Sequence, residues 1–276
     1  MVQYLVSTTM LPRAIGKDFT DYTAIPMVIS QLEVDGVELV FLPEWDTRFA
    51  PITKTSADWD SCQKISVSDI ANWIKQHQIN VPSVHLNRDI GNLLCSNDLT
   101  LIKRGEKILE ENLAAASTLK TEVVVLHLWD TYKNKIDIIE LYNRVYEICK
   151  TYSLKLTIEN IPLSDQTITT LQAWSILKKL MPDHYGFTLD LNWCSLYDNF
   201  EELLSMIKSI HNIHVQGYVN HHLNIIEPRV GNLDLMSSIS RLKNLNYNKY
   251  ITLELSKAAD LSDFTQALKL IRRQFE

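Results

Sequence analysis

Four side chains able to hold a metal ion or move a proton recur at matching places along the chain: Glu159, Asp190, His214 and Glu254. Each closes a short apolar run. Leu154-Lys155-Leu156-Thr157-Ile158 precedes Glu159, Gly186-Phe187-Thr188-Leu189 precedes Asp190, Ile210-His211-Asn212-Ile213 precedes His214, and Tyr250-Ile251-Thr252-Leu253 precedes Glu254. A carboxylate at the end of such a run is costly to bury unless it is paired or bound to a cation. In parallel α/β folds the chemistry sits at the C-terminal ends of the strands. Glu, Asp, His and Glu on four successive strands therefore predict one divalent metal at the mouth of a barrel. Three carboxylates and one imidazole form a mostly hard donor set. It suits Mn²⁺ first, with Mg²⁺, Co²⁺ or Zn²⁺ as substitutes, and leaves positions for substrate oxygens.

Other residues fall close to the same strand ends. His85 lies near the end of Val81–Leu86, and His127 ends the run Glu122–His127. Either can meet substrate or form an internal hydrogen bond. Trp129 and Trp193 come just after the fourth and sixth strands, where an indole can stack on the apolar face of a bound ligand or pack the barrel mouth. His221 and His222 are read as part of a solvated loop. Glu38 and Glu44, near the second strand, are read as solvated or strand-pairing, from the usual exposure of glutamate.

The elements that must carry these side chains alternate regularly. Strands are expected at Tyr4–Thr8, Val37–Leu42, Val81–Leu86, Glu122–His127, Leu154–Glu159, Gly186–Asp190, Ile210–Val215 and Tyr250–Glu254. Helical periodicity fills the intervals. It appears within Asp21–Leu32, after Ser66, from Asn97-Asp98 to about Lys120, over Ile136–Tyr152 and over Thr169–Leu180. It recurs after an Asp198-Asn199-Phe200-Glu201 capping signature, after Asp234, and over Ser262–Phe275. Gly217 to Asn232 reads as a polar loop. Eight strands and eight helices, about 34 residues per repeat, predict a (β/α)8 TIM barrel formed by one domain over residues 1–276.

Composition agrees with this reading. The chain has 276 residues, 46% of them hydrophobic, enough for one barrel core. The net charge of −6 argues against a nucleic-acid partner. No apolar run approaches a membrane span. Met1–Val6 lacks the basic start of a signal peptide and reads as the first strand. Cys62, Cys95, Cys149 and Cys194 are scattered without a C-x-x-C pair, as in a reduced cytoplasmic protein, and Cys194 is read as part of the site wall. No Gly-rich phosphate loop is present.

The runs Val125-Leu126-His127, Leu156-Thr157-Ile158-Glu159-Asn160, Leu189-Asp190, Ile213-His214-Val215 and Leu253-Glu254 together resemble the xylose isomerase-like barrels, over nearly the whole chain. These include the sugar isomerases and epimerases and their relatives, the endonuclease IV-type AP endonucleases. The resemblance implies a metal held by Glu159, Asp190, His214 and Glu254, with Glu159 and Glu254 as the catalytic acid–base pair. It implies an isomerase or epimerase acting on a sugar or related polyol through an enediolate, with His85, His127, Trp129 and Trp193 as substrate contacts. The expected partner is a small molecule rather than nucleic acid or membrane, and a homo-oligomer is compatible with the sequence. Departures bear on the substrate: Trp193 stands where the family's Asp-x-x-His has histidine, and Gly217 where His-x-x-Asp has aspartate. They keep open a barrel that binds a small polar ligand without turning it over, and, further off, an AP endonuclease-type repair enzyme.

Overall fold

In the computed structural model of the protein, the described residues are 1–18, 20–42, 65–163, 168–256 and 259–276. Glu44 and Cys62 lie outside them. Backbone contacts divide the chain into two compact units, Leu39–Gly186 and a discontinuous one of Met1–Glu38 with Phe187–Glu276.

The discontinuous unit is built on parallel strands β1 (Gln3–Ser7), β6 (Gly186–Asp190), β7 (Ile210–Asn220) and β9 (Tyr250–Leu255), together with the first half of β2 (Gly36–Val40). β1 pairs with both β2 and β9, and β7 lies between β9 and β6. The register sets Asp190 beside His214, His214 beside Thr252, Gln216 beside Glu254, and Ser7 beside Glu38. Because side chains alternate between sheet faces, Asn212, His214 and Gln216 share one face, and the intervening Ile213 and Val215 take the other. The helices Leu235–Asn244 and Leu261–Phe275 are started by Asp234 and Asp260, whose carboxylates accept bonds from first-turn amides.

The continuous unit carries β3 (Ser83–His85), β4 (Val123–Leu126) and β5 (Lys155–Glu159), all parallel. β4 is Val-Val-Val-Leu and buried throughout, as a strand covered on both faces must be. Ser66, Asp98, Asp137 and Thr169 cap the helices Val67–Gln76, Leu99–Thr118, Ile138–Cys149 and Thr170–Leu180, and Thr169 forms a full capping box with Gln172.

Several sequence expectations change. The first helix is only Ile25–Ile29, preceded by two 3-10 turns, one of them led by Leu11-Pro12. A short helix, Asp89–Leu94, lies between β3 and the long helix, and periodicity over six residues was too brief to reveal it. The helix expected after Asp198-Asn199-Phe200-Glu201 is present as Phe200–Leu203, continued by a 3-10 stretch Leu204–Ser209, but Asp198 does not start it. That residue takes a left-handed conformation (φ 49°) that ends the helix Leu191–Tyr197, and Asn199 makes no side-chain cap. The supposed loop 217–232 contains a hairpin: β7 runs on to Asn220 and returns antiparallel as β8 (Ile225–Glu227). Gly217 is required there, because a Cβ would collide with the Glu227 carbonyl oxygen.

Candidate metal and proton-transfer site

In the continuous unit, three side chains meet at the C-terminal ends of β3, β4 and β5. His85 Nε2 and His127 Nε2 each lie 3.2 Å from the same oxygen, Glu159 Oε2. The two rings stand edge to face, with centroids 4.9 Å apart. Glu159 and His85 are buried, and His127 is half-buried. His85 Nδ1 donates to the Leu86 carbonyl at 2.8 Å. A neutral His85 therefore presents the lone pair of Nε2 to a carboxylate oxygen. Two electron pairs face each other there unless a proton or a metal ion stands between them. The spacing suits a cation: two donors about 2.0–2.2 Å from one ion are separated by roughly 3 Å. His127 is pulled below its ordinary value of 6.5 by loss of water around it, with Glu159 opposing, so the metal-ligating neutral form is favoured. Its approach is set by the helix Asp89–Leu94, where Gly91 leaves no room for a Cβ against the His127 carbonyl.

In the discontinuous unit, a buried polar chain runs across three strands. Thr252 Oγ1 donates to Asn212 Oδ1 at 3.0 Å, and Asn212 Nδ2 donates to Glu38 Oε2 at 2.7 Å. His214 Nε2 lies 3.2 and 3.3 Å from the two Glu38 oxygens and 3.2 Å from Asn212 Nδ2. Glu38 is 0% and His214 1% exposed. Glu254, half-buried, accepts a bond from Gln216 Nε2, its neighbour in register. Glu38, His214 and Glu254 each offer one ligand atom within 4.8 Å of the others. Asp190, also buried, divides its work. Oδ1 accepts from the amides of Asn192 (2.6 Å) and Trp193 (3.3 Å), which starts the helix Leu191–Tyr197 directly from the strand end. Oδ2 is a second donor atom on the same carboxylate.

The reading of Glu38 as solvated or strand-pairing is thus corrected: it is a fully buried carboxylate against His214. Its flanks, Val37 and Leu39, were the signal, since one glutamate inside an apolar strand needs a buried partner. Asn212 and Gln216 were also missed, although the alternation Asn212-Ile213-His214-Val215-Gln216 marks a polar face. Trp129 is completely buried, and its Nε1 donates to the Pro162 carbonyl at 3.1 Å, so its ring packs the wall. Trp193 is half-buried on the first turn after Asp190, and Cys194 beside it is buried. His221 sits in the hairpin turn, paired with Asp263 at 2.6 Å.

A cleft at the C-terminal ends of β1, β7 and β9 is lined by Ser7, Thr9, Gln216, Arg229, Glu254 and Ser256, among others. It brings hydroxyls, an amide, a guanidinium and a carboxylate to one opening, donors and acceptors of the kind that bind a polar small molecule.

These features define a barrel of metal-capable strand ends, and comparison gives the family. The family model for the xylose isomerase-like TIM barrel matches residues 28–274. The chain belongs to that family and has its (β/α)8 TIM-barrel fold. Among curated protein sequences nothing matches it. Among solved structures it is similar to D-allulose 3-epimerase from Methylomonas sp. in complex with D-allulose, at 13% identity, covering 99% of this chain and 97% of that one, TM-score 0.69. It is similar to an L-ribulose 3-epimerase at 14% identity, covering 100% and 95%, TM-score 0.69. It is also similar to the IOLI protein with a bound zinc atom at 16% identity, covering 99% and 98%, TM-score 0.65. Among the described residues no helix is long and apolar enough to cross a membrane.

Proposed function

We propose that the protein is a divalent-metal-dependent isomerase or epimerase that moves a proton beside the carbonyl of a sugar or related polyol. The observation that carries the reading is the gathering of metal-capable groups within each unit: His214 with Glu38 and Glu254, and Glu159 with His85 and His127. The family and its sugar-epimerase neighbours supply the reaction class. Glu159, Asp190, His214 and Glu254 are the proposed holders of the metal, manganese first and magnesium, cobalt or zinc as alternatives. When bound, such an ion supplies Lewis-acid stabilisation of negative charge on substrate oxygens.

The chain's own groups do the rest. Glu159 and Glu254 are the proposed acid and base, one carboxylate taking the proton beside the carbonyl and the other returning one. Gln216 restrains Glu254 through its amide. His85 and His127 are the proposed contacts to substrate hydroxyls, and Trp193 the cover for an apolar sugar face, with Trp129 as wall behind them.

The test is proton exchange. In D₂O, with manganese present, the carbon next to the carbonyl of a ketose from a tetrose-to-hexose panel should take up deuterium, read by NMR. Glu159→Gln and Glu254→Gln should each slow exchange by about 10²-fold or more. If metal is bound and no sugar exchanges above a metal-only control, a barrel that binds without turnover is the better description.

A second reading concerns the number of ions. The facing electron pairs of His85 and Glu159 favour a further metal on His85, His127 and Glu159, which would make the two histidines ligands rather than substrate contacts.

A further inference from the structure

We propose that Arg229 is a specificity residue that selects an anionic substrate, a ketose or polyol bearing a phosphate or carboxylate. The inference rests on the isomerase reading for the identity of the site and adds the substrate class. Among the described residues Arg229 is the one cationic residue lining the cleft that also contains Glu254, and Ser7, Thr9 and Ser256 line the same cleft. No carboxylate among the described residues pairs with it.

Its place is built. β7 continues past His214 and Gln216 to Asn220, and the hairpin returns through Ile225–Glu227 to Pro228-Arg229. Both sides of Arg229 are pinned at glycines. At Gly217 a Cβ would collide with the Glu227 carbonyl, and at Gly231 (φ 73°) with the Ser195 carbonyl. Glu227 is further held by Asn220 Nδ2 at 2.9 Å, and Pro228 fixes the backbone angle just before the arginine. An arginine that served only solubility would need none of this. A guanidinium is permanently charged and forks onto two oxygens of phosphate or carboxylate, while Ser7, Thr9 and Ser256 offer hydroxyls for a third. A chain of net charge −6 needs such a local cation to admit an anion.

The experiment is calorimetric titration of the manganese-loaded protein with a ketose phosphate, the matching keto-sugar acid, the neutral ketose and inorganic phosphate. We expect at least one anionic sugar to bind about tenfold or more tighter than the neutral ketose. Arg229→Met should abolish that preference without weakening the neutral sugar, and Arg229→Lys should keep part of it. The phosphate and carboxylate arms tell which anion is selected. Equal binding of anionic and neutral sugars overturns the proposal, as does a preference that survives Arg229→Met, or no binding of any anionic sugar at about 10 mM, far above usual substrate affinities. Deuterium exchange read on the same samples separates the two ideas. Preference without exchange upholds Arg229 and sinks the isomerase, and exchange without preference does the reverse.

Discussion

His85 Nε2 faces Glu159 Oε2 at 3.2 Å while the other ring nitrogen gives its proton to the Leu86 carbonyl. That arrangement fixes what may occupy the gap. A backbone carbonyl cannot donate, so Nδ1 must, and the neutral ring is left with an acceptor aimed at an acceptor. A proton makes a buried imidazolium–carboxylate pair; a metal ion makes two ligands.

The two outcomes differ in stoichiometry. With one metal ion at Glu159, Asp190, His214 and Glu254, elemental analysis after chelation and reloading should find about one ion per chain. A second ion on His85 and His127 should raise this to about two, and His85→Ala should return it to one. In either case occupancy should fall as pH drops through the histidine range, since ligands must lose their protons before they bind. A double variant, Asp190→Ala with His214→Ala, that keeps as many ions per chain as the unmodified protein would falsify the ligand assignment. The same preparations should leave an abasic duplex uncut, in keeping with the acidic net charge.

The Glu38–Asn212–Thr252 chain predicts a stability effect separate from metal. Asn212→Ala removes the amide donor to a fully buried carboxylate and leaves Thr252 without its acceptor. The expected cost is about 1.5–3 kcal/mol, the range for a hydrogen bond to a charged group. Denaturant unfolding of the metal-free protein reads it. Thr252→Val should cost less, because it breaks only a bond between neutral groups, and the double variant should fall short of the sum because the residues share one network.

The strand ends were legible because chemistry and apolar runs coincide there: a carboxylate after Leu-Thr-Ile or Phe-Thr-Leu stands out from solvated glutamates. Helix starts were legible where an acidic or hydroxyl cap precedes a periodic stretch, as at Asp98, Thr169 and Asp234. Glu38 was not, because glutamate is usually exposed and its partner His214 is 176 residues away. Asp198 misled for a related reason. Its motif has capping letters, but Asp190 had already started a helix eight residues earlier, and the chain needed a left-handed stop at 198. The hairpin was hidden because Gly217, Asn220 and Asn224 read as loop residues, whereas pairing is decided by the close approach that Gly217 permits.

Asp234 supplies a pH-dependent term. Bonds from the amide and hydroxyl of Ser237 hold its carboxyl below the usual value of 3.8. A carboxyl with a depressed folded pKa stabilises the native state above its unfolded pKa and loses that contribution as pH falls through the folded one. Asp234→Ala should therefore cost about 1 kcal/mol at pH 7, the usual worth of an N-cap. The gap to the unmodified protein should narrow on acidification below about pH 4, the ordinary carboxyl range. Urea titrations at pH 7 and pH 3 measure both ends. A gap that stays constant would mean the effect is local packing rather than the ionised cap.

The two departures from the family pattern should respond differently to reversal. Trp193 lies half-buried on the first turn of the helix that Asp190 caps, and the bond at that position uses its backbone amide, which any residue but proline provides. Trp193→His should fold, with melting temperature changed by a few degrees at most, and should gain exchange activity on ordinary ketoses if the indole is what excludes them. Gly217 is otherwise placed: any side chain there meets the Glu227 carbonyl across the hairpin. Gly217→Asp would also bring a second carboxylate near Glu227 and force β8 away from β7. It should cost about 1–3 kcal/mol, as overpacking does, and Gly217→Ala should cost nearly as much, since the first carbon already collides. Because the chain runs from the displaced strand through Pro228 to Arg229, both variants should also lose preference for anionic over neutral sugars while Trp193→His keeps it. Thermal melts and the calorimetric panel, run on the three proteins together, check this. If Gly217→Asp melts with the unmodified protein and retains the preference, the hairpin does not depend on this glycine and its hold on Arg229 must come from elsewhere.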